Sequence, residues 1–518
     1  MNRVEHTTFV QRILYLLMPV VLVCFAACAV GPNYKRPTSD VSQSYKEAEG
    51  WKIATPADSN ERGPWWEVFN DPILNDLENQ ASRSNFSIAQ AAANYEEARQ
   101  LARADRATFF PTFSGSASAQ RSKSGSGRSV ALASSSASSG SNSTNTNSGG
   151  STPSVAITPS SSGAPTTNYS ASLGASWTPD FWGRVRRLTE SDIASAQVSA
   201  ADLANARLSI QATLAQTYLQ LRIADERIRL RQTAVDAYSR TLEIAQNKYK
   251  VGIVARSDVI SAQAQLDAAR AQVIDAGILR AQYEHAIAVL IGKTPAEFSL
   301  APQTALSVAM PLYPLQMPSE LLERRPDIAA AERNVAAANA RIGVQTAAYF
   351  PQLTLSADGG YAGSQLDKIF RTPNRFWSLG ANLTDVLFDF GRRRGELASV
   401  RAAYDASVAA YRGSVLRAFQ EIEDDLVSLR LLVEEAKVQD AAVSEASEAA
   451  RIAMNEYRAG TVDYTTVATA QVTELNNRQT ALTILQNRLN STVALIEALG
   501  GGWQSRDLPG PKDVVARE

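Results

Sequence analysis

Two short stretches decide how this chain is built: Tyr249-Lys-Val-Gly252-Ile-Val and, 208 positions later, Tyr457-Arg-Ala-Gly460-Thr-Val. At the same offset Ala262-Gln263 returns as Ala470-Gln471 and Gly183-Arg184 as Gly391-Arg392, whereas upstream Phe110-Pro111 returns as Phe350-Pro351 at an offset of 240. The halves therefore differ by an insertion of 32 between Pro111 and Gly183. It lies in residues 122–166, where 17 of 45 positions are Ser and almost nothing can be buried, the composition of a flexible loop.

Working outward from the turns, Leu188 to Tyr249 contains no Gly or Pro, and as one helix it would run about 90 Å. Leu214, Leu221, Ile228, Val235, Leu242 and Tyr249 fall at sevens, and Ile422, Leu429, Ala436, Val443, Ala450 and Tyr457 repeat the stripe. A sustained seven-residue period predicts supercoiled helices packed along one seam. The chain then turns at Gly252 and Gly460 and returns along 259–290 and 467–499, giving two long antiparallel hairpins. Upstream of each hairpin, an alanine-rich helix (Ser87–Ala107; Ala329–Ala348) stops at Phe-Pro, where proline disfavours helix in the residue before it. Alternating strands follow: Tyr169, Ala171, Leu173, Ala175 and Trp177 in the first half, Trp377, Leu379, Ala381 and Leu383 in the second, each set interleaved with small polar residues. That dyad suits a barrel wall with lipid on one side and water on the other, or an ordinary half-buried sheet.

The N-terminus carries an apolar run, Ile13–Phe25, too short to span a bilayer, ending at Phe25-Ala-Ala-Cys28. This resembles a lipoprotein signal in which Cys28 is acylated and becomes the first mature residue. The expected divisions are 1–27 signal, 28–80 lipid-anchored segment, 81–295 first repeat (strands near 111–120 and 168–178, hairpin 188–293), 296–324 linker, 325–500 second repeat (strands near 351–361 and 376–386, hairpin 392–499) and 501–518 tail. Four strands cannot close a barrel, which needs about eight at least, so identical chains must supply the rest. Three would give twelve strands; symmetry favours a cyclic oligomer without fixing its number.

The charge balance, 51 Lys+Arg against 52 Asp+Glu, argues against a nucleic-acid partner. Only two His and two Cys are present, and His6 and Cys24 fall in the signal. No metal cluster or Cys/His pair can be built from what is left, so neither catalysis nor a cofactor is expected, and His285 is read as an ordinary helical residue. A periplasmic enzyme or sugar-binding lipoprotein would have to work with scattered carboxylates such as Glu421, Glu423, Asp424 and Asp425, which read instead as a solvated face or tunnel lining. A purely structural coiled coil leaves the strands unexplained. The basic clusters Arg184, Arg186, Arg187 and Arg392, Arg393, Arg394 oppose the dipole at helix starts and are expected either to face lipid phosphates or carboxylates at the periplasmic membrane boundary or to be solvated with incidental pairs.

Cys28-Ala-Val-Gly-Pro-Asn-Tyr-Lys-Arg-Pro37, Trp65-Trp66 with Phe69 and Asp71-Pro72, the doubled Phe-Pro, the paired Tyr-x-x-Gly turns and Ala498-Leu-Gly-Gly-Gly-Trp503 together resemble the TolC-like outer-membrane factor family, in its NodT- and OprM-type lipoprotein branch. The resemblance implies an α+β membrane protein: a homotrimer whose hairpins form an α-barrel tunnel and whose four strands per chain complete a 12-stranded β-barrel. It implies the outer membrane of a Gram-negative bacterium as the site, a periplasmic adaptor and an inner-membrane RND transporter as partners, and export of small molecules such as drugs as the task. An exit duct for type I protein secretion is the alternative. By the same resemblance Val251, Gly252, Ile253, Ala459, Gly460 and Thr461 would meet the adaptor, and a Tyr457–Asp258 bond would latch the closed tip. Val462, Thr466 and Thr469 stand where relatives carry an arginine and acids, which speaks against cation block by an acidic ring. Serine at Cys28 should abolish incorporation of labelled fatty acid; a Cys28→Ser chain that still takes up label would refute the assignment.

Overall fold

The computed structural model describes residues 29–38, 45–47, 64–123, 165–303 and 324–516. Cys28 and most of the Ser-rich stretch lie outside them. The chain divides into two compact units, one of residues 1–106, 182–348 and 391–518, the other of residues 107–181 and 349–390.

The first unit is helical. Short α1 (Pro72–Ser84) and α2 (Phe86–Ala107) precede the first long hairpin, α3 (Arg184–Lys250) and α4 (Arg256–Leu290). Then come α5 (Pro326–Ala347), the second hairpin, α6 (Arg392–Ala459) and α7 (Tyr464–Ala498), and a terminal turn, α8 (Pro511–Val515). The hairpins are matched, 67 and 35 residues against 68 and 35. Asp71 caps α1, accepting from the Ile73 and Leu74 N–H groups ahead of Pro72 at the first helical position. Gly183 and Gly391 precede α3 and α6 with φ of +78° and +91°. At Gly183 a side chain would also strike the Ala29 backbone, 2.6 Å away. The helix seams are thin because small residues let the backbones close up: Ala212, Ala215, Ala245, Ala262 and Ala418 are buried among sparser Leu, Val and Tyr.

A polar network that the sequence reading did not anticipate holds the first hairpin at mid-length. Asp71 accepts from the Tyr218 hydroxyl at 2.5 Å, and Arg222 stacks 4.8 Å from the Tyr218 ring. Asp225 pairs with Arg222 at 3.3 Å and Arg280 at 2.7 Å; Glu284 takes Arg280 at 2.9 Å and the Leu300 N–H at 2.6 Å. The backbone carbonyls of Leu300 and Ala301 accept from Arg280 and Arg222, so the segment after α4 is pinned onto both hairpin helices.

Two expectations change. Arg187 is buried, not lipid-facing: its guanidinium donates to Asn33 Oδ1 at 2.8 Å, to the carbonyls of Val30 and Gly31, and to Glu190 at 2.7 Å, and so ties the N-terminal strap to α3. The acidic run is not one solvated face. Glu421 pairs with Arg325 at 2.8 Å, Glu423 accepts the N–H groups of Lys46 and Glu47, and burial among Glu421, Asp424 and Glu497 lifts the Asp425 carboxyl to about 7.

The second unit is a four-stranded antiparallel sheet of β1 (Thr112–Ser122), β2 (Thr166–Trp177), β3 (Gln352–Gly363) and β4 (Arg375–Thr384), in sequence order. Directly opposed residues share a face, so the register can be read across all four strands. One face carries Phe113, Leu173, Trp177, Leu353, Leu355, Trp377, Leu379 and Leu383; the other carries Ser114, Ser116, Ser118, Ser170, Ser172, Ser356 and Asn382. The apolar face is bare, with Leu173, Trp377 and Leu379 each more than 70% exposed. Serine hydroxyls pair along the polar face, Ser116–Ser172 at 2.8 Å and Ser118–Ser170 at 2.7 Å. The β3–β4 loop is shorter than expected, because β3 continues to Gly363; it is built from two 3-10 turns closed by Asn374 onto the Lys368 carbonyl.

Asp225→Ala should lower stability by about 3 kcal/mol or more, because it leaves the Arg222 charge buried without its carboxylate. Denaturant melts in detergent check this through the midpoint, which should fall with an unchanged slope.

Candidate functional site

No described helix is long and apolar enough to cross a membrane, and no group of three or more His, Cys, Asp and Glu among the described residues could hold a metal. The region with the features of a site is the pair of hairpin turns. Each turn reverses at a glycine in the left-handed region, Gly252 at φ +75° and Gly460 at φ +82°. Gly252 N–H donates to the Tyr249 carbonyl and Ile253 N–H to Lys248; Gly460 N–H donates to Tyr457 and Thr461 N–H to Glu456. These paired bonds close the last helical carbonyls. A side chain at either glycine would meet nothing within 4 Å, so the positive φ alone calls for glycine there. Val251 and Ile253 stand 69% and 66% exposed at the first turn, and Ala459 and Thr461 are exposed at the second.

Behind the turns, Val235, Tyr238, Leu242, Ala262, Leu266, Ala453, Tyr457, Tyr464 and Val467 form one core, with Val462 packed against it. The two turn tyrosines part company here. Tyr457 is 1% exposed, whereas Tyr249, its counterpart in sequence, is 46% exposed. Tyr457 meets the Tyr464 ring edge to face at 6.3 Å, and Tyr464 donates to Gln265 Oε1 at 2.9 Å. Gln471 reaches Thr241 at 3.1 Å across the same interface. Burial raises both phenols above their ordinary pKa, Tyr464 to about 12, with the nearby Asp258 charge adding to each shift.

The expected Tyr457–Asp258 bond is not formed: the Tyr457 hydroxyl is buried and has no hydrogen-bond partner among the described residues. The N-cap position of α4 is held by Ala255, not Asp258. Asp258 sits in the first turn of α4, behind Ala255, where a carboxylate suits the helix dipole, and it accepts from Ser257 Oγ at 3.4 Å. The N-cap of α7 is Asp463, which binds both the N–H and the hydroxyl of Thr466; Thr469 donates back to the Thr465 carbonyl. Thr466 and Thr469 are exposed.

The residue missed in sequence is Lys248. Its ammonium lies 4.2 Å from the centre of the Tyr457 ring and also donates to the Tyr457 carbonyl, so α3 and α6 meet at their C-terminal ends. The available signal was a lysine in the last turn of a helix that ends beside another helix C-terminus.

Tyr457→Phe removes a hydroxyl that has no hydrogen-bond partner among the described residues and should leave the melting temperature unchanged or slightly higher. Tyr464→Phe gives up the bond to Gln265 and should cost about 1 kcal/mol. Parallel thermal melts compare the two; a larger loss from Tyr457→Phe than from Tyr464→Phe would contradict this assignment.

Comparison with known proteins bears on most of the chain. The family model described as outer membrane efflux protein matches residues 77–293 and 317–501. The toluene efflux pump outer membrane protein TtgF of Pseudomonas putida is 27% identical over 495 residues, covering 93% of this chain and 96% of that protein. The outer membrane protein OprJ of Pseudomonas aeruginosa is 27% identical over 487 residues, covering 93% and 95%. Among solved structures, the outer-membrane channel OprN superposes with a TM-score of 0.79 at 28% identity, over 92% of this chain and all of that one. The chain is a member of the outer membrane efflux protein family.

Proposed function

We propose that the chain is the exit duct of a tripartite RND-type efflux pump in the outer membrane of a Gram-negative bacterium, carrying small molecules out of the periplasm. The observation that carries the reading is the sheet. Strands of 10 to 12 residues suit a bilayer crossing, one face is apolar and bare, and the other is lined with hydroxyls. Phe113 and Trp177 lie towards one end of the apolar face and Tyr169, Tyr361 and Trp377 towards the other, in keeping with aromatic girdles at two water interfaces.

The outward edges of β1 and β4 pair with no other strand among the described residues. In lipid such edges must be closed, and three copies would close them as a 12-stranded barrel. The two matched hairpins of each chain would then form a tunnel of twelve long helices. Exposed Val251, Ile253, Ala459 and Thr461, with Gly252 and Gly460, form the surface offered to a periplasmic adaptor, and the tip core behind them forms the gate. Acyl chains on Cys28 would anchor the N-terminal segment in the membrane. The chain needs no cofactor and does no chemistry in this reading; energy comes from the inner-membrane transporter.

Deleting the gene should sensitise cells to several chemically unrelated compounds, and the intact gene should restore resistance. Toluene, named for one relative, is a first candidate. Unchanged susceptibility across antibiotics, solvents and dyes, in cells whose other efflux ducts have been removed, would argue against the reading.

A further inference from the structure

We propose that Lys248 is the clasp joining the two hairpin turns of one chain, and that the tip spreads only when this clasp lets go; the second half of this statement rests on the gating reading above. One ammonium makes two contacts with a single residue of the other hairpin, lying 4.2 Å from the Tyr457 ring centre and donating to the Tyr457 carbonyl. Both contacts suit a cation. The ring face is negative, and the carbonyls at the C-terminus of α6 carry the negative end of the helix dipole.

The position of the clasp makes it a point of control. Over residues 226–290 and 430–459, this is the one side-chain hydrogen bond that joins α6 to the first hairpin among the described residues. The other polar links between the hairpins near the tip, Tyr464 to Gln265 and Gln471 to Thr241, belong to α7. With its hydroxyl unbonded, Tyr457 is held by packing and by the lysine. The contact is also one-sided. The residue matching Lys248 in the second half is Glu456, and the tyrosine matching Tyr457 is the half-exposed Tyr249, so no second clasp of this kind can form.

Lys248 is a positioning residue, so the test reads geometry as well as conductance. Spin labels at Val251 and Ala459, on chains diluted with unlabelled copies, give the distance between the two turns within one chain. Lys248→Met should lengthen and broaden that distance and raise the open population about fivefold in single-channel records. Lys248→Arg, which keeps the cation over the ring, should restore both. Lys248→Gln, which keeps a donor but not the charge, serves if the methionine chain does not assemble, and should also lengthen the distance. An unchanged distance in the methionine or glutamine chain would overturn the clasp. A longer distance with unchanged conductance would uphold the clasp and overturn the gating reading.

Discussion

A strand edge in lipid has nowhere to place its backbone hydrogen bonds, and the proposed assembly of this sheet depends on that constraint. The sheet of β1 to β4 satisfies three interfaces internally and leaves two edges unpaired among the described residues. Its bare apolar face would be a liability in water and is an asset in a bilayer. In the proposed barrel, lipid on one side would select Leu, Trp and Phe while water on the other would tolerate the serine ladder, so a single alternation of residues would supply both wall and lumen.

The helical unit meets a different constraint. Helices of 67 and 68 residues cannot be held by one compact core, and the buried residues instead form separate clusters along them. Alanine seams bring the backbones close but give little hydrophobic stabilisation per residue. Polar ties therefore carry much of the specificity: the Asp71–Tyr218–Arg222–Asp225–Arg280–Glu284 network at mid-length, Arg187 at the strap, and Lys248 at the tip. Matched hairpin lengths do not make matched environments, since Tyr457 is sealed in the core and Tyr249 stands half in solvent.

What could be read from the sequence was the part governed by short-range periodicity. Alternation at Tyr169–Trp177 and Trp377–Leu383 falls within β2 and β4, the Gly-free and Pro-free stretch after Leu188 lies inside α3, and the glycine turns stand at Gly252 and Gly460. What could not be read was pairing between distant residues. Arg187 and Arg392 look alike as letters beside a helix start, yet one is buried in the grip of the N-terminal strap and the other lies exposed beside Glu396. Asp258 and Tyr457 form a pair by the resemblance to the family, but the ring turns its face to Lys248, which that resemblance does not point to. The acidic run 421–425 divides because successive residues on a helix point about 100° apart, so Glu421 and Asp425 share a cleft while Glu423 turns to the strap.

In the proposed assembly one chain supplies a third of a closed barrel. Native mass spectrometry of the protein released from detergent micelles tests it most directly. An assembly of three chains that persists until the micelle is stripped or the protein unfolds is the expected result. A stable folded monomer or dimer, with the edges of β1 and β4 left open, would contradict it.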